Sequence, residues 1–565
     1  MTGPCNIAAA LPRLARELPD QVAMRAPGRD GRYATALTYA QLDARSDAIA
    51  AGLAARGIGR GTRTVVMVRP TPEFFLLMYA LFKAGAVPVL VDPGIDKRAL
   101  KQCLGEVQAE AFVGVPLAMF ARVLLGWAKS ARLRVTTGAR PLFADVTLAE
   151  VERSGADAGP QLADTAPDDV AAILFTSGST GVPKGVVYRH RHFVAQVDML
   201  GGMLGVSTGG VDFPTFPPFA LFDPALGLTS IIPDMDPTRP AKADPRKLHA
   251  AIERFGVTQL FGSPALMRVL AEHGRPLPTV TRVTSAGAPV PADVVAKMRE
   301  LLPDDGQFWT PYGATECLPV AVIEGRELVT LRERTETGAG TCVGRPVAPN
   351  EVRMIRVTDE AIPEWSDALL VKPGQVGEIT VAGPTATDAY FNRDAQTALA
   401  KIREAGSFPA GVAGAAGASR TVHRMGDLGY FDAEGRLWFC GRKSQRVVTG
   451  QRTLCTEQVE PVFDTHPEVR RTALVGIGER GAQRPLLCVE LQPGIDKAER
   501  ARIADELRHL GEGFVHTAHV DVFAFHPAFP VDIRHNAKIG REKLAVWAAR
   551  ELRRGKVFEA VVTPD

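Results

Sequence analysis

A short polar loop interrupts an apolar run at residues 174–185, which read LFTSGSTGVPKG. Glycines let a backbone adopt positive φ angles and approach a ligand closely, and hydroxyl side chains supply hydrogen-bond donors. The ammonium group of Lys184 adds a positive charge, so the loop is suited to the oxygens of a polyphosphate. The candidate ligand residues are Thr176, Ser177, Gly178, Ser179, Thr180, Gly181 and Lys184.

Two other loop types are excluded by spacing. A P-loop requires G-x-x-x-x-G-K-[ST], whereas Lys184 lies between Pro183 and Gly185. A G-x-S-x-G nucleophile elbow also fails, because the glycines around Ser179 are wrongly spaced. From these residues alone, a glycine- and serine-rich connector without a ligand remains open.

The elements around the loop alternate between short β-branched runs and longer helical patterns. Strands are predicted at residues 63–69, 86–92, 171–176 and 281–287, and a helix at 72–85. This alternation is typical of an α/β layered fold with parallel sheets. The pattern restarts after residue 446, which predicts a small C-terminal domain, and the glycine- and alanine-rich segment 405–419 is predicted to be a surface loop.

Composition narrows the class of protein. The chain has 565 residues, so two or more domains are expected, and its 46% hydrophobic content is that of a globular protein. A net charge of +3 gives no reason to expect nucleic acid as a partner. The N-terminus has no continuous apolar signal region and no long apolar window is found, so a cytoplasmic protein without a transmembrane segment is expected. Seven cysteines without C-x-x-C spacing predict buried free thiols.

The whole loop resembles the phosphate-binding loop of the adenylate-forming superfamily, which contains acyl-CoA synthetases, peptide-synthetase adenylation domains and beetle luciferases. Other segments resemble the further motifs of that family in the same order: TSAGAPVP (284–291), TPYGATE (310–316), GEITVAGPTATDAYFN (377–392), HRMGDLGYFDAEGRLWFCGR (423–442) and PVDIRHNAKIGREKL (530–544). The resemblance implies a large N-terminal AMP-binding domain of layered sheets and helices (1–441), a hinge (442–446) and a small mobile α+β lid (447–565).

The same resemblance implies a role for each matching residue, with ATP and Mg²⁺ as cofactors. Glu316 would coordinate magnesium, a hard cation that prefers oxygen ligands, and Asp427 would accept hydrogen bonds from the ribose. Lys538 would be the catalytic lysine that stabilises charge between the attacking carboxylate and the α-phosphate, and Glu316, Thr176 and Lys184 would assist it. The remaining nucleotide contacts would come from Gly287, Ala288, Pro289, Tyr312, Gly313, Thr315 and Arg442.

Four positions depart from the family pattern. Ser444 replaces the Asp or Lys common at the hinge, Ala537 replaces the glycine before the catalytic lysine, and Ala220 replaces a histidine or aromatic residue. Asp223 is a polar residue in an apolar segment, where it either caps a turn before Pro224 or meets a polar group of the acyl substrate. In YRHRHF (188–193) the two histidines are spaced for different helix faces, so the segment is interpreted as the helix after the phosphate loop and not as a metal site.

Several longer segments, among them TFPPFALFDPALGLTSIIPDMDPTRPAKADP, resemble the β-lactone synthetases of bacterial long-chain olefin biosynthesis. That resemblance implies adenylation of a 2-alkyl-3-hydroxyalkanoic acid, followed by closure of a cis-β-lactone with release of AMP and without coenzyme A. It also implies assembly with other enzymes of the pathway, namely a thiolase, a reductase and an α/β-hydrolase-like β-lactone decarboxylase. The alternatives are a long-chain fatty acyl-CoA ligase, a fatty acyl-AMP ligase and a catalytically silent nucleotide-binding subunit.

Overall fold

The structure is a computed structural model, and it describes residues 4–28, 30–92, 94–176, 183–406, 408, 419–531 and 539–559. Of the predicted site residues, Ser177, Gly178, Ser179, Thr180, Gly181 and Lys538 lie outside these ranges. Most of the predicted surface loop at 405–419 lies outside them as well.

The helices of the described residues are α1 (Leu11–Glu17), α2 (Tyr39–Ala54), α3 (Pro72–Lys83), α4 (Lys97–Glu106), α5 (Pro116–Leu125), α6 (Leu148–Ser154), α7 (His190–Leu204), α8 (Asp223–Leu226), α9 (Pro245–Phe255), α10 (Pro264–His273), α11 (Ala292–Glu300), α12 (Gly325–Thr330), α13 (Arg332–Glu336), α14 (Asp394–Ala400), α15 (Thr456–Phe463), α16 (Arg500–Glu512) and α17 (Arg541–Arg553). None of them is both long and apolar enough to cross a membrane.

The strands of the large domain are β1 (Val22–Ala26), β2 (Thr35–Thr38), β3 (Arg63–Met67), β4 (Val87–Val91), β5 (Ala111–Gly114), β6 (Leu133–Thr136), β7 (Val146–Thr147), β8 (Val170–Thr176), β9 (Lys184–Arg189), β10 (Val211–Pro214), β11 (Thr229–Ile231), β12 (Gln259–Gly262), β13 (Arg282–Ser285), β14 (Gln307–Ala314), β15 (Cys317–Glu324), β16 (Thr341–Pro346), β17 (Glu351–Ile355), β18 (Gly377–Ala382), β19 (Lys401–Ala405), β20 (Ser419–Phe431) and β21 (Leu437–Arg442). The strands of the C-terminal part are β22 (Val447–Val448), β23 (Thr453–Leu454), β24 (Val469–Ile477), β25 (Arg484–Leu491), β26 (Val522–Phe525) and β27 (Phe558–Glu559).

Two large sheets carry the site. One runs β7-β6-β5-β3-β4-β8-β9, and only the β8–β9 pair in it is antiparallel. The other runs β17-β18-β20-β21-β16-β15-β14-β13-β12-β10-β11-β1-β2, with β19 paired to β20, and its strands β10 to β14 include a parallel run. The predicted parallel sheets are confirmed, and because parallel strands end at one edge, the loops after β8, β10, β12 and β13 come at the carboxyl edges of their sheets.

The core of the large domain forms where helices cover these sheets. Helix α3 is the most buried of them, since every residue from Phe74 to Lys83 is buried. Lys83 is tolerated there because its ammonium group pairs with Asp43 at 2.6 Å and Asp47 at 2.7 Å. Helix α2 begins at a capping box in which Thr38 and Gln41 satisfy each other's backbone amides.

The C-terminal part forms a separate layer around the four-stranded sheet β24-β25-β26-β27. One face of the sheet packs on α15 and α16 through Phe463, Ile503 and Leu507, and the other packs on α17 through Leu544 and Ala548. The prediction of a small C-terminal α+β unit is confirmed.

Candidate active site

Glu316 lies in a two-residue turn between β14 and β15. Ala314 and Cys317 pair on either side of the turn. A Cβ atom on Gly313 would lie 2.8 Å from the carbonyl oxygen of Cys317, so a glycine is needed for the strands to approach this closely. The tight hairpin fixes the position of the predicted metal ligand.

Side chains from two other segments hold the backbone of that turn. The hydroxyl group of Tyr188, on β9, donates to the carbonyl oxygen of Thr315. The backbone amide and the hydroxyl group of Thr387 both donate to the carbonyl oxygen of Glu316, each at 2.9 Å. Since both carbonyls of the turn are satisfied, the Glu316 side chain is presented from a rigid support.

Tyr390 joins the turn to the lysine of the phosphate loop. Its hydroxyl group donates to Oε1 of Glu316 at 2.7 Å, and the Nζ atom of Lys184 lies 4.9 Å from the centroid of its ring. Two backbone hydrogen bonds hold the segment around Tyr390 against β9, from Phe391 to Gly185 at 2.8 Å and from Val187 to Ala389 at 3.1 Å. The predicted residues Lys184 and Glu316 are thus brought together around one buried ring.

A buried lysine lies behind the same turn. Lys401 donates to the carbonyl oxygen of Thr387 and, at 3.1 Å, to its hydroxyl oxygen, which in turn donates to Glu316. Burial lowers the pKa of Lys401 to about 8, although the nearby carboxylates of Glu316 and Asp388 oppose that shift. The sequence analysis did not single out Tyr390, Thr387 or Lys401; their only sequence signal was their place in or next to the block 377–392.

The predicted ribose-binding residues form a second cluster. Asp427 on β20 lies opposite Arg442 on β21, and their side chains pair at 2.8 Å. The hydroxyl group of Tyr312 donates to the other carboxylate oxygen of Asp427 at 2.5 Å. Burial raises the pKa of Asp427, although the positive charge of Arg442 opposes that shift. The negative charge of Asp427 in turn raises the pKa of Arg442.

The predicted adenine-facing segment directly follows the carboxyl end of β13. Gly287 has a φ angle of 101°, a conformation that favours glycine. Gly287 and Pro289 are exposed and Ala288 is half-buried, so this backbone is accessible to a ligand. The carboxyl end of β8, with Thr176, leads into the phosphate loop.

Four half-buried aromatic rings lie at the carboxyl ends of β10 and β12. Phe219 stacks on Phe261 with centroids 4.4 Å apart, and Phe216 and Phe222 extend the cluster at 5.5 and 6.5 Å from Phe219. They form an apolar wall on the same sheet edge as Gly287, which is where an acyl chain would be held.

The interpretation of Asp223 as a turn cap is wrong. Asp223 is the first residue of α8, and its side chain is buried beside Asp212 and Ser230. No side-chain hydrogen bond caps the start of α8, because the Asp223 carboxyl group interacts instead with Asp212 on β10 and Ser230 on β11.

The interpretation of YRHRHF as a helix requires a correction. Tyr188 and Arg189 complete β9, and α7 begins only at His190. The break occurs because Arg189 has an extended backbone with φ −100° and ψ 160°. His190 and His192 are buried, and burial lowers their pKa values to about 4 and about 3.

The residues of the predicted hinge (442–446) form ion pairs with the large domain. The Nζ atom of Lys443 pairs with the buried Glu378 at 2.9 Å, and Arg446 pairs with Asp359 at 2.8 Å. Ser444, between them, is exposed.

The predicted free thiols are confirmed for all seven cysteines, and six are buried whereas Cys5 is half-buried.

A comparison with protein families agrees with this arrangement of residues. The model of the AMP-binding enzymes matches residues 11–391. The chain therefore belongs to the family of AMP-binding enzymes.

Two relatives define the resemblance more narrowly. The chain is 69% identical over 556 residues to an olefin beta-lactone synthetase of Xanthomonas campestris pv. campestris. The alignment covers 98% of this chain and 99% of the relative. It is 68% identical over 558 residues to an olefin beta-lactone synthetase of Stenotrophomonas maltophilia, with coverage of 98% and 99%. The resemblance to these synthetases, expected from the sequence, is confirmed.

Solved structures share the fold. An amide bond synthetase from Marinactinospora thermotolerans aligns with a TM-score of 0.75 at 23% identity, covering 96% of this chain and 99% of the other. An o-succinylbenzoate coenzyme A synthetase from Bacillus subtilis, solved with ATP and a magnesium ion, aligns with a TM-score of 0.70 at 20% identity, covering 95% and 98%. The predicted fold of a large adenylate-forming domain with a small C-terminal domain is confirmed.

Proposed function

We propose that the protein is an ATP-dependent, AMP-forming β-lactone synthetase that acts on 2-alkyl-3-hydroxyalkanoic acids. The adenylation half-reaction is supported by the site, in which Lys184 and Glu316 meet around Tyr390 and Asp427 pairs with Arg442. The lactone-forming half-reaction is supported by the identity of 69% and 68% to two olefin beta-lactone synthetases.

In the first step a carboxylate oxygen of the acid attacks the α-phosphorus of ATP, and pyrophosphate leaves. Lys184 and the loop from Thr176 to Gly181 bind the phosphates, while Lys538 stabilises the negative charge that develops at the α-phosphate. Asp427 accepts hydrogen bonds from the ribose hydroxyls, and the backbone of Gly287 to Pro289 and the ring of Tyr312 hold adenine.

Glu316 suits a magnesium ion. Its carboxylate is an oxygen ligand of the kind that hard cations prefer, and among the residues that the structure describes only Tyr390 hydrogen-bonds to it, at Oε1. When bound, the ion neutralises charge on the phosphates of ATP. Thr387 and Tyr188 keep the turn in place from behind, so the ligand position does not depend on the ion.

In the second step the 3-hydroxyl oxygen attacks the acyl carbon of the adenylate. The hydroxyl proton is lost, the bond to AMP breaks and a four-membered β-lactone ring forms. The nucleophile is attached to the acyl group, so its effective concentration is high and coenzyme A is not needed. The apolar wall around Phe219 would hold the alkyl chains.

Residues 442–446 form the hinge between an N-terminal domain (1–441) and a lid (447–565) that carries Lys538 to the site. The protein acts in the cytoplasm on a product of a thiolase and a reductase, and a β-lactone decarboxylase consumes the lactone. A fatty acyl-CoA or acyl-AMP ligase is the second candidate, favoured only by the wider family.

The test is an incubation of the protein with ATP, magnesium and a synthetic 2-alkyl-3-hydroxy acid, with and without coenzyme A. We expect AMP and a β-lactone in equal amounts in both samples. Formation of a thioester without lactone would assign the protein to the ligases. Lys538→Ala should abolish adenylate formation, and full activity of that variant would show that the lysine has been misassigned.

A further inference from the structure

Helix α5 leaves four large apolar side chains in solvent. Of its ten residues only Met119 is fully buried. Leu117 is 70% exposed, Phe120 52%, Val123 51% and Leu124 71%. Helices that are hydrophobic on all sides are normally covered, as α3 is in this protein. Packing within the described part of the chain therefore does not explain the sequence of α5.

The loop after β6 extends this apolar surface. Leu142 is 98% exposed, and the ring of Phe143 lies 6.3 Å from that of Phe120. Ten large apolar side chains are exposed in the described residues, and five of them lie between residues 117 and 142. Such clustering marks an interaction site. The α5 patch is defined here as Leu117, Phe120, Val123, Leu124, Leu142 and Phe143.

Positive charge surrounds the α5 patch. Residues 111–144 contain five cationic side chains and no acidic one, and two of the five, Arg134 and Arg140, pair with Asp145 and Glu150. At the end of α5, the Cε atom of Lys129 and the Nζ atom of Lys101 lie 3.1 and 3.8 Å from where a Cβ of Gly126 would be. Within the described residues Lys101, Lys129 and Arg132 form no ion pair, so their charges are available to a partner.

We propose that the α5 patch docks on the surface of an anionic lipid bilayer. Its members are leucine, phenylalanine and valine, which offer no side-chain hydrogen bonds, whereas protein interfaces carry about one hydrogen bond per 100–200 Å². Protruding apolar side chains inside a ring of lysine and arginine are the features by which proteins bind at the boundary between headgroups and acyl chains. The charges attract the headgroups, and the apolar tips enter the acyl boundary.

The patch has a defined relation to the proposed active site. Helix α5 starts two residues after β5, whose carboxyl end lies on the same sheet edge as that of β8. Docking would bring the edge that carries the phosphate loop towards the lipid. The docking surface does not depend on the proposed reaction, because none of its residues belongs to the nucleotide site.

The experiment is flotation of the full-length protein with vesicles. One set contains only phosphatidylcholine, and the other contains equal amounts of phosphatidylcholine and phosphatidylglycerol. We expect binding to the anionic vesicles that weakens in high salt. The double variants Phe120→Ser/Leu124→Ser and Lys101→Glu/Lys129→Glu should each lower the vesicle-bound fraction by about tenfold or more.

The matched control is Val515→Ser/Val546→Ser, which removes two side chains that are 83% and 74% exposed outside the patch. It should bind vesicles as the unchanged protein does. Adenylation of a water-soluble hydroxy acid should be the same in all variants, which separates a failure of docking from a failure of the proposed function. The proposal is overturned if patch variants float equally well, if neither vesicle binds, or if the patch variants instead convert an oligomer to a monomer.

Discussion

At the scale of single residues, the proposed metal ligand depends on neighbours that never touch the substrate in the proposed reaction. Glu316 is held through Tyr390 at its carboxylate and through Thr387 at its backbone. Lys401 holds Thr387 in turn, from a position that is 8% exposed. Hydrogen bonds from the buried Lys401 through Thr387 therefore hold the backbone of Glu316, and Tyr390 separately holds its carboxylate.

Tyr390→Phe tests this support. The variant keeps the ring beside Lys184 and removes the 2.7 Å hydrogen bond to Glu316. Hydrogen bonds to charged groups are worth about 1.5–3 kcal/mol, so we expect the magnesium concentration for half-maximal pyrophosphate exchange to rise about tenfold. Tyr430→Phe is the control, because its hydroxyl group donates to Ala339 away from the site. An unchanged magnesium dependence of Tyr390→Phe would contradict the role of Tyr390.

At the scale of elements, β10 and α8 enclose two acids that face each other. Asp212 and Asp223 are both buried, and burial raises the pKa values of both carboxyl groups. The charge of Asp212 raises the pKa of Asp223 further, so the folded protein retains a proton here that the unfolded chain releases. Such a pair destabilises the fold as the pH rises.

We predict the following dependence on pH. The stabilising contribution of a group with a raised pKa is complete below its unfolded value, about pH 4 for Asp, and is lost as the pH rises through the folded value. One retained proton corresponds to a loss of up to about 1.4 kcal/mol per pH unit. In urea unfolding between pH 5 and 8, Asp223→Asn should reduce the decrease in the free energy of unfolding with rising pH. The variant should therefore be more stable than the unchanged protein at the higher pH.

Asp157→Asn is the control for that measurement, because Asp157 is exposed. If the free energy of unfolding depends on pH equally in Asp223→Asn, Asp157→Asn and the unchanged protein, the folded protein does not retain a proton at Asp212 and Asp223.

The aromatic wall belongs to the same scale, since the loops after β10 and β12 build it. Phe219→Ala would remove the ring that stacks on Phe261. Loss of apolar contact in a pocket costs about 1–3 kcal/mol of discrimination, so kcat/KM for long-chain hydroxy acids should fall about tenfold while that for short-chain acids changes little. Phe514→Ala, in the C-terminal domain, is the control. Equal losses for both chain lengths would show that the wall does not contact the alkyl groups.

At the scale of the whole molecule, ion pairs join the large domain to the segment proposed as the hinge and to the C-terminal part. Asp359 of the large domain pairs with Arg446 at 2.8 Å and with Arg480 at 3.4 Å, and Glu378 pairs with Lys443. Away from the hinge, Thr341 donates to Glu457 on α15 at 2.8 Å. If residues 442–446 act as the proposed hinge, rotation about them would break the ion pairs of Asp359 with Arg446 and Arg480.

Asp359→Asn should loosen the lid. Partly exposed ion pairs are worth about 0.2–1 kcal/mol each, so we expect amide hydrogen exchange of residues 443–448 to accelerate by up to about tenfold. Asp505→Asn removes a comparable surface pair with Arg508 and should leave this exchange unchanged. Equal exchange in both variants would mean that other contacts hold the hinge.

Much of the proposed site could be predicted from the sequence. The motifs that contain Lys184, Glu316 and Asp427 are short continuous segments whose residue types suit phosphate, magnesium and ribose. Their order along the chain was enough to indicate adenylate formation. The alternation of short strands and helices was likewise enough to predict parallel sheets, because it follows from local burial patterns.

The tertiary structure alone decided how these motifs support one another. Tyr390 meets Glu316 from 74 residues away, and Tyr312 meets Asp427 from 115 residues away, by strand pairings that no local pattern encodes. The same holds for Asp223, whose environment is set by Asp212 on another element, and for α5, whose packing leaves only Met119 fully buried. The sequence determines which chemistry each side chain can perform. Burial and contacts between residues far apart in the chain depend on the tertiary structure, and they set the pKa values, the geometry of the ligand-binding residues and the surfaces that stay exposed.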